Sequence, residues 1–168
     1  IEHANLIDVE TLEYMNERDV WLSPQVVVFQ QEMGGMNADQ LAKQRQARDG
    51  VSALLTAAND LGYQNIVFGT DIVTSLSELR NGNRELVLRS EWFEPAEVLK
   101  QATSKAGKLV GLSGPRNPYG KLGVIEPLAV ADILLVDGDP IEDISILARP
   151  QQSIRVIIKG GEIYKNEL

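Results

Sequence analysis

Two side chains combine residue type and position in a way that suits metal-assisted chemistry. His3 is the only histidine among 168 residues, and it lies where the sequence predicts the end of a strand. Asp71 follows the short apolar segment 65–69, so it opens the loop after another predicted strand. Imidazole and carboxylate are usual zinc ligands, and a carboxylate beside a metal can also accept a proton from water. The pair therefore suggests part of a catalytic metal centre.

Each of these residues also has an ordinary structural explanation. A lone histidine near a terminus is commonly solvated, and an aspartate after a strand commonly caps a turn. Two ligands are fewer than the three that a catalytic zinc site normally has. Arg80 and Arg84 flank the loop after Asp71 and could bind a substrate carboxylate, although surface arginines are more often simply solvated. The residues alone leave these alternatives open.

The elements that must position these residues alternate between strands and helices. In the first two thirds of the chain, three predicted strands are each followed by a helix, which indicates parallel βα units. The ends of neighbouring parallel strands meet at one edge, so His3 and Asp71 are expected on the same rim. After the Gly/Pro-rich connector 113–120, the last third reads as a small β domain. We therefore expect domains at 1–112 and 113–168.

Several local features are predicted within this order. Val20–Phe29 reads as one buried strand, with Pro24 marking a bulge or a break near its end. A loop is expected over 30–37, and Gly50 is expected to split the helical stretch that follows it. Two short helices are predicted over 95–102 and 105–109. Strands are predicted over 122–125, 132–136, 154–159 and 162–165, with a two-residue turn at Gly160-Gly161.

Composition and missing motifs exclude several other classes of protein. Sixteen Lys and Arg against twenty-four Asp and Glu give a net charge of −8, so nucleic acid is a poor partner. The absence of cysteine excludes disulfides, thiolate zinc sites and thiol nucleophiles. The longest apolar runs are far shorter than the ~20 residues that span a bilayer, so no membrane partner is expected. Neither a P-loop nor a G-x-S-x-G motif is present.

The motifs, taken in order, resemble the C-terminal part of the amidohydrolase superfamily. Ile1–Asp8, Val20–Pro24 and Phe68–Asp71 look like the last three strands of its barrel. The tail is similar as well, in the segments Glu94–Leu99, Ala102–Ser104, Gly123–Pro127, Ala131–Asp132 and Val136–Pro140. The members it resembles are the imidazolonepropionase-like and the Xaa-Pro dipeptidase (prolidase)-like hydrolases. The resemblance covers essentially the whole chain.

This resemblance implies an α/β fold and a metal site. The fold would be the last three βα units of a TIM barrel, followed by part of a small β-sandwich that lacks its N-terminal partner strands. His3 would be the sixth-strand metal ligand. Asp71 would be the eighth-strand aspartate, which binds metal and acts as acid and base on the hydrolytic water. The cofactor would be zinc, as one or two divalent ions, with the other ligands preceding residue 1. Ala4 and Leu128 stand where this family commonly has glycine.

The implied activity is metal-dependent hydrolysis of an amide C–N bond in a small-molecule substrate. A dipeptide of the Xaa-Pro type is the first expectation, and a cyclic amide is the alternative within the enzyme class. This chain alone is expected to be inactive, and either to require the missing N-terminal half or to self-associate. A non-catalytic acidic interaction module is the alternative from another class. The sequence does not assign a cellular location.

Overall fold

The computed structural model describes residues 1–30, 35–73 and 76–168, so residues 31–34 of the loop predicted over 30–37 lie outside the described residues. Its helices are α1 (Val9–Asn16), α2 (Val27–Gln30), α3 (Ala38–Asp60), α4 (Leu76–Leu79), α5 (Arg84–Arg89), α6 (Pro95–Lys100), α7 (Ala106–Gly111) and α8 (Pro150–Ser153). The strands are β1 (Ile133–Val136), β2 (Ile154–Lys159) and β3 (Glu162–Asn166). None of the helices described is long and apolar enough to cross a bilayer.

Three short extended segments lie side by side in the first two thirds of the chain. Glu2 pairs with Ser23 and Leu22 pairs with Ile66, and both bridges are parallel. Leu22 and Ile66 are fully buried and belong to one core cluster with Leu12 of α1 and Leu55 of α3. The pairing is therefore the βα arrangement that the sequence predicts, with helices covering the apolar side of the strands.

The prediction of one strand over Val20–Phe29 is wrong beyond Pro24. The chain turns there and forms the helical turn α2, because proline has no N–H to continue a ladder. The carboxylate of Glu85, far away in sequence, accepts the N–H groups of Val26 at 3.0 Å and Val27 at 2.7 Å. These are donors that the start of a helix leaves without a partner, so the distant carboxylate stabilises the turn.

Gly50 does not split α3, which runs without a break from Ala38 to Asp60 behind a capping box formed by Asn37 and Gln40. A Cβ at residue 50 would lie 2.1 Å from the carbonyl oxygen of Asn5. The side-chain amide of Asn5 also donates to the carbonyl of Ala47 at 2.9 Å. Glycine at this position therefore permits close packing and does not mark a break.

The prediction of two separate helices over 95–102 and 105–109 is also wrong. Residues 95–111 make one continuous helical stretch in which the turn Gln101–Lys105 is π-helical. Within this turn the carbonyl of Gln101 accepts the N–H of Phe68 at 3.2 Å, a bond to a distant segment that local sequence rules do not include. A π-helical turn changes which backbone carbonyls remain available, and such turns are frequent at functional sites.

The last third forms a three-stranded antiparallel sheet in the order β1-β2-β3. Gly160 and Gly161 have φ values of 57° and 86°, which is the two-residue hairpin turn that the sequence predicts. The strand predicted over 122–125 does not form, because Gly123 is left-handed (φ 73°) and abuts the carbonyl of Thr103. Exposed apolar side chains remain on β1 and β3, namely Leu134, Leu135, Ile163 and Tyr164.

Leu128 is expected to cost stability, because it is fully exposed and holds a left-handed backbone with φ 71°. The side chain gains no burial there, while its Cβ crowds the neighbouring carbonyl. We expect Leu128→Gly to raise the free energy of unfolding by about 0.5–1 kcal/mol, measured from the urea midpoint. Leu112→Gly is the control, since that leucine is also exposed but has φ −66°. Equal losses of stability in both variants would contradict this explanation.

Candidate functional site

His3 lies at the end of the first parallel segment, directly after the bridge between Glu2 and Ser23. Its backbone N–H donates to the carbonyl of Ser23 at 3.0 Å, and the chain then turns sharply. His3 and Ala4 both have left-handed backbones, with φ values of 62° and 58°. This conformation explains physically why a glycine suits position 4. Strain of this kind is typical of functional sites.

Asp71 follows the parallel segment that contains Ile66, and it too is left-handed, with φ 51°. Its Oδ2 lies 3.8 Å from Nε2 of His3. The two side chains are 45% and 49% exposed, so both are open to a small ligand. The structure therefore brings together the two residues that sequence analysis selects from opposite ends of a 69-residue segment.

The donor chemistry of this pair suits a divalent metal, although the number of donors is small. Zinc binds histidine nitrogen and aspartate oxygen at about 2.0–2.2 Å each, so one ion can contact atoms that lie 3.8 Å apart. The described residues contain no group of three or more His, Asp and Glu side chains placed to hold a metal. His3 and Asp71 therefore fit part of a metal site.

The two arginines predicted to bind substrate lie in the segment that follows the Asp71 loop. Arg80 follows α4, Arg84 is the first residue of α5, and both are exposed. Between them, the turn at Gly82 packs against Thr70 and Ile72, whose side chains would lie 3.6 and 3.8 Å from a Cβ at that glycine. The segment that carries both arginines therefore contacts the loop that carries Asp71.

Two neighbours of the site escaped sequence analysis. The ring of Phe29 meets the imidazole of His3 edge to face, with centroids 6.5 Å apart and an interplanar angle of 83°. The buried amide of Gln25 donates to the carbonyl of Ser23 at 2.8 Å and to the carboxylate of Glu2 at 3.2 Å. Both residues reach the site because the chain turns at Pro24. The only signal in the sequence is that proline, which predicts a bulge or a break near the end of the strand and not a turn into a helix.

The class of protein follows from these features together. An α/β chain presents a histidine and an aspartate at the ends of parallel segments and continues into a small antiparallel sheet. The amidohydrolase family model matches residues 1–163, and the chain belongs to that family. This confirms the family that the sequence motifs indicate. No curated protein sequence matches the chain significantly.

Solved structures of similar fold include three informative relatives. An amidohydrolase matches with a TM-score of 0.85 and 29% identity, over 100% of this chain and 40% of that one. A prolidase complexed with N-methylphosphonate-L-proline matches with a TM-score of 0.83 and 27% identity, over 99% and 40%. The ochratoxinase of A. niger matches with a TM-score of 0.79 and 26% identity, over 98% and 36%. The chain thus spans about 40% of the length of the structures it matches first.

Proposed function

We propose that this chain is the C-terminal part of a metal-dependent hydrolase that cleaves an amide C–N bond, with an Xaa-Pro dipeptide as the substrate. In this proposal residues 1–112 supply the last three βα units of a TIM barrel. Residues 113–168 supply part of a β-sandwich. The exposed apolar side chains of β1 and β3 support a covered sheet in the intact protein, because neighbouring residues on a strand point to opposite faces and both faces of this small sheet therefore carry uncovered apolar side chains.

One observation carries the proposal: the 3.8 Å approach of His3 Nε2 to Asp71 Oδ2 at the ends of parallel strands. Substrates of α/β barrels bind at the carboxyl ends of the strands, where loops from several units converge. Both side chains are half exposed. The backbone of both residues is left-handed, a conformation that costs free energy in residues other than glycine. A turn role alone would account for the left-handed backbone of Asp71, but it would not require the approach of its carboxylate to His3 at the end of another segment.

In the proposed reaction His3 and Asp71 hold one side of the metal site and Asp71 also moves a proton. A bound zinc, as one or two divalent ions, would supply Lewis acidity that polarises the substrate carbonyl and acidifies water. The carboxylate of Asp71 accepts the proton of the attacking water at one oxygen and delivers it to the departing proline nitrogen. The ring of Phe29 stands nearly perpendicular to the imidazole of His3 and forms an apolar wall beside it.

The dipeptide assignment is supported by the prolidase relative and by the two arginines. That relative was solved with N-methylphosphonate-L-proline, a derivative of proline, and proline carries a carboxylate. Arg80 or Arg84 would bind the carboxylate of the substrate through a bidentate contact, for which the guanidinium fork is suited. The contact between their segment and Thr70 would keep this anchor beside Asp71.

The experiment that tests the proposal measures metal binding and hydrolysis in the intact protein. We expect the metal-free protein to be inactive, and zinc to restore hydrolysis of an Xaa-Pro dipeptide in preference to a cyclic amide such as an imidazolone. Preference for the cyclic amide would move the substrate class to the alternative. An intact protein that binds no divalent metal would instead favour a non-catalytic interaction module.

The isolated chain of residues 1–168 is expected to show no dipeptidase activity, even when loaded with zinc. Its described residues hold only two of the donors that a catalytic site needs, so metal affinity should be low. Size-exclusion chromatography is expected to show self-association, because apolar side chains of the sheet are uncovered. A compact monomer with zinc-dependent activity that is lost in Asp71→Asn would overturn this expectation.

A further inference from the structure

A buried polar network lies behind the strand ends that carry the site. Glu85, Arg89 and Gln101 are each 0% exposed, although two of them are charged. The Nε of Arg89 donates to Oε1 of Glu85 at 2.8 Å, one turn away on α5. Burial lowers the pKa of Arg89, and the adjacent Glu85 carboxylate opposes that shift. Such a pair is costly to bury, so its presence calls for a role beyond packing.

The guanidinium of Arg89 binds backbone carbonyls of two different segments. One terminal nitrogen, Nη1, donates to the carbonyl of Val67 at 3.0 Å and to the side-chain oxygen of Gln101 at 2.8 Å. The other, Nη2, donates to the carbonyl of Pro24. The planar fork of arginine is what permits these bonds to be made at once, and lysine cannot reproduce it.

The partners of Arg89 extend the network to the neighbouring backbone. Glu85 accepts the N–H groups of Val26 and Val27, which follow the strand end at Pro24. The backbone carbonyl of Gln101 accepts the N–H of Phe68, which follows Val67. Each segment therefore receives a hydrogen bond from Arg89 and donates one to a partner of Arg89. All of these side chains are buried in the same network.

These two segments are the ones that place the candidate site. Pro24 follows Ser23, whose carbonyl accepts the N–H of His3. Val67 lies four residues before Asp71 in the adjacent segment, and its N–H donates to the carbonyl of Leu22 at 3.0 Å. A change in the separation of Pro24 and Val67 would therefore change the separation of the two site residues.

We propose that Arg89, oriented by Glu85, is a positioning residue that fixes Asp71 relative to His3 by binding the carbonyls of Pro24 and Val67. The inference rests on the proposed function, because it assigns Arg89 an effect on catalysis through Asp71. Arg89 touches neither substrate nor metal in this scheme. Its effect is geometric, and a displacement of about 1 Å at reacting groups can lower a rate about 100-fold.

The test uses the intact protein and the paired variant Glu85→Gln/Arg89→Met, which removes both charges and leaves no lone charge in the core. We expect kcat to fall about 100-fold with little change in KM. The visible spectrum of the cobalt-substituted protein should also change, since it reports the geometry of the metal ligands. Arg89→Lys, which keeps the charge but not the fork, should retain part of kcat.

Two controls separate positioning from stability. Leu55→Ala removes a fully buried side chain of α3 that holds none of these backbone groups, so we expect lower stability with unchanged kcat and spectrum. In an Asp71→Asn background, the paired substitution should lower kcat by a much smaller factor than in the parent, because the effects of residues that act as a unit are not additive. The inference would be overturned if the paired substitution lowered kcat by the same factor in both backgrounds. It would also be overturned if Leu55→Ala lowered kcat as much as the paired substitution does.

The outcomes also separate this inference from the function on which it rests. A parent protein whose cobalt spectrum does not respond to Asp71→Asn would refute the proposed function, and the inference with it. A parent spectrum that depends on Asp71 but not on the Glu85–Arg89 pair would refute the inference alone. A loss of kcat and a changed spectrum in the paired variant, absent in Leu55→Ala, would support both.

Discussion

Replacing Asp71 by asparagine in the intact protein is expected to lower kcat for an Xaa-Pro dipeptide by about 1,000-fold. The amide keeps the size and shape of the side chain but cannot accept a proton from water at neutral pH. Asparagine also tolerates the left-handed backbone at this position, where φ is 51°, so the loop should keep its conformation. The measurement is kcat at saturating substrate and saturating zinc, with far-UV circular dichroism to verify the fold.

Asp19→Asn is a closely matched control for this substitution. Asp19 has φ 52°, nearly the value at Asp71, and it lies at the opposite end of the strands, before Val20. Its backbone carbonyl accepts the side-chain amide of Asn65 at 2.9 Å, a bond that the substitution leaves in place. We expect unchanged kcat in Asp19→Asn. A similar kcat for both variants and the parent would remove Asp71 from the proposed mechanism.

Sequence analysis selects the residues of the candidate site from their residue types and from their positions at the ends of predicted strands. Asp71 directly follows a short apolar strand, and the parallel order of the segments places it on the same rim as His3. The Gly160-Gly161 hairpin is a local feature, since a two-residue turn requires positive φ at both positions. The hairpin depends only on the residues beside it, so the pattern predicts it. For His3 and Asp71 the pattern selects the candidates, and their role as metal ligands stays a prediction.

The features that sequence analysis missed depend on distant partners. The helical turn α2 is stabilised by the carboxylate of Glu85, which lies 59 positions after Val26. Glu85 lies in the first turn of α5, where a carboxylate is ordinarily explained by the helix dipole, but it is fully buried against Arg89. The π-helical turn similarly has a distant partner, since the N–H of Phe68 donates to the carbonyl of Gln101. Periodicity and capping rules cannot reveal such contacts.

A glycine within a helical pattern can mark a break in the helix or permit close packing, and Gly50 is a case of the second kind. A glycine within a helical pattern often marks a break, which is the prediction made for α3. In the structure it is a site of close approach, because the carbonyl of Asn5 occupies the space that a Cβ would fill. The segment that contacts it follows His3 by only two residues. The packing of α3 at Gly50 therefore bears directly on the position of the site.

Gly50→Ala is accordingly expected to lower the free energy of unfolding by about 2 kcal/mol. Overpacking commonly costs about 1–3 kcal/mol, and here the obstacle is backbone that cannot rotate away. A Cβ would lie 2.1 Å from the oxygen of Asn5 and 3.0 Å from its carbonyl carbon, so α3 and the segment after His3 must separate. The better helix propensity of alanine would offset up to about 1 kcal/mol of this cost. The urea midpoint measures the net change.

Gly111→Ala is the matched control, because Gly111 is also helical, in α7, and a Cβ there meets nothing within 4 Å. We expect that variant to gain up to about 1 kcal/mol from helix propensity alone. The two substitutions should therefore shift the urea midpoint in opposite directions. Gly50→Ala should also weaken cobalt binding by the intact protein, since the displaced segment carries His3. A gain in stability at both positions would show that Asn5 can move aside freely, and the close contact would then have no bearing on the site.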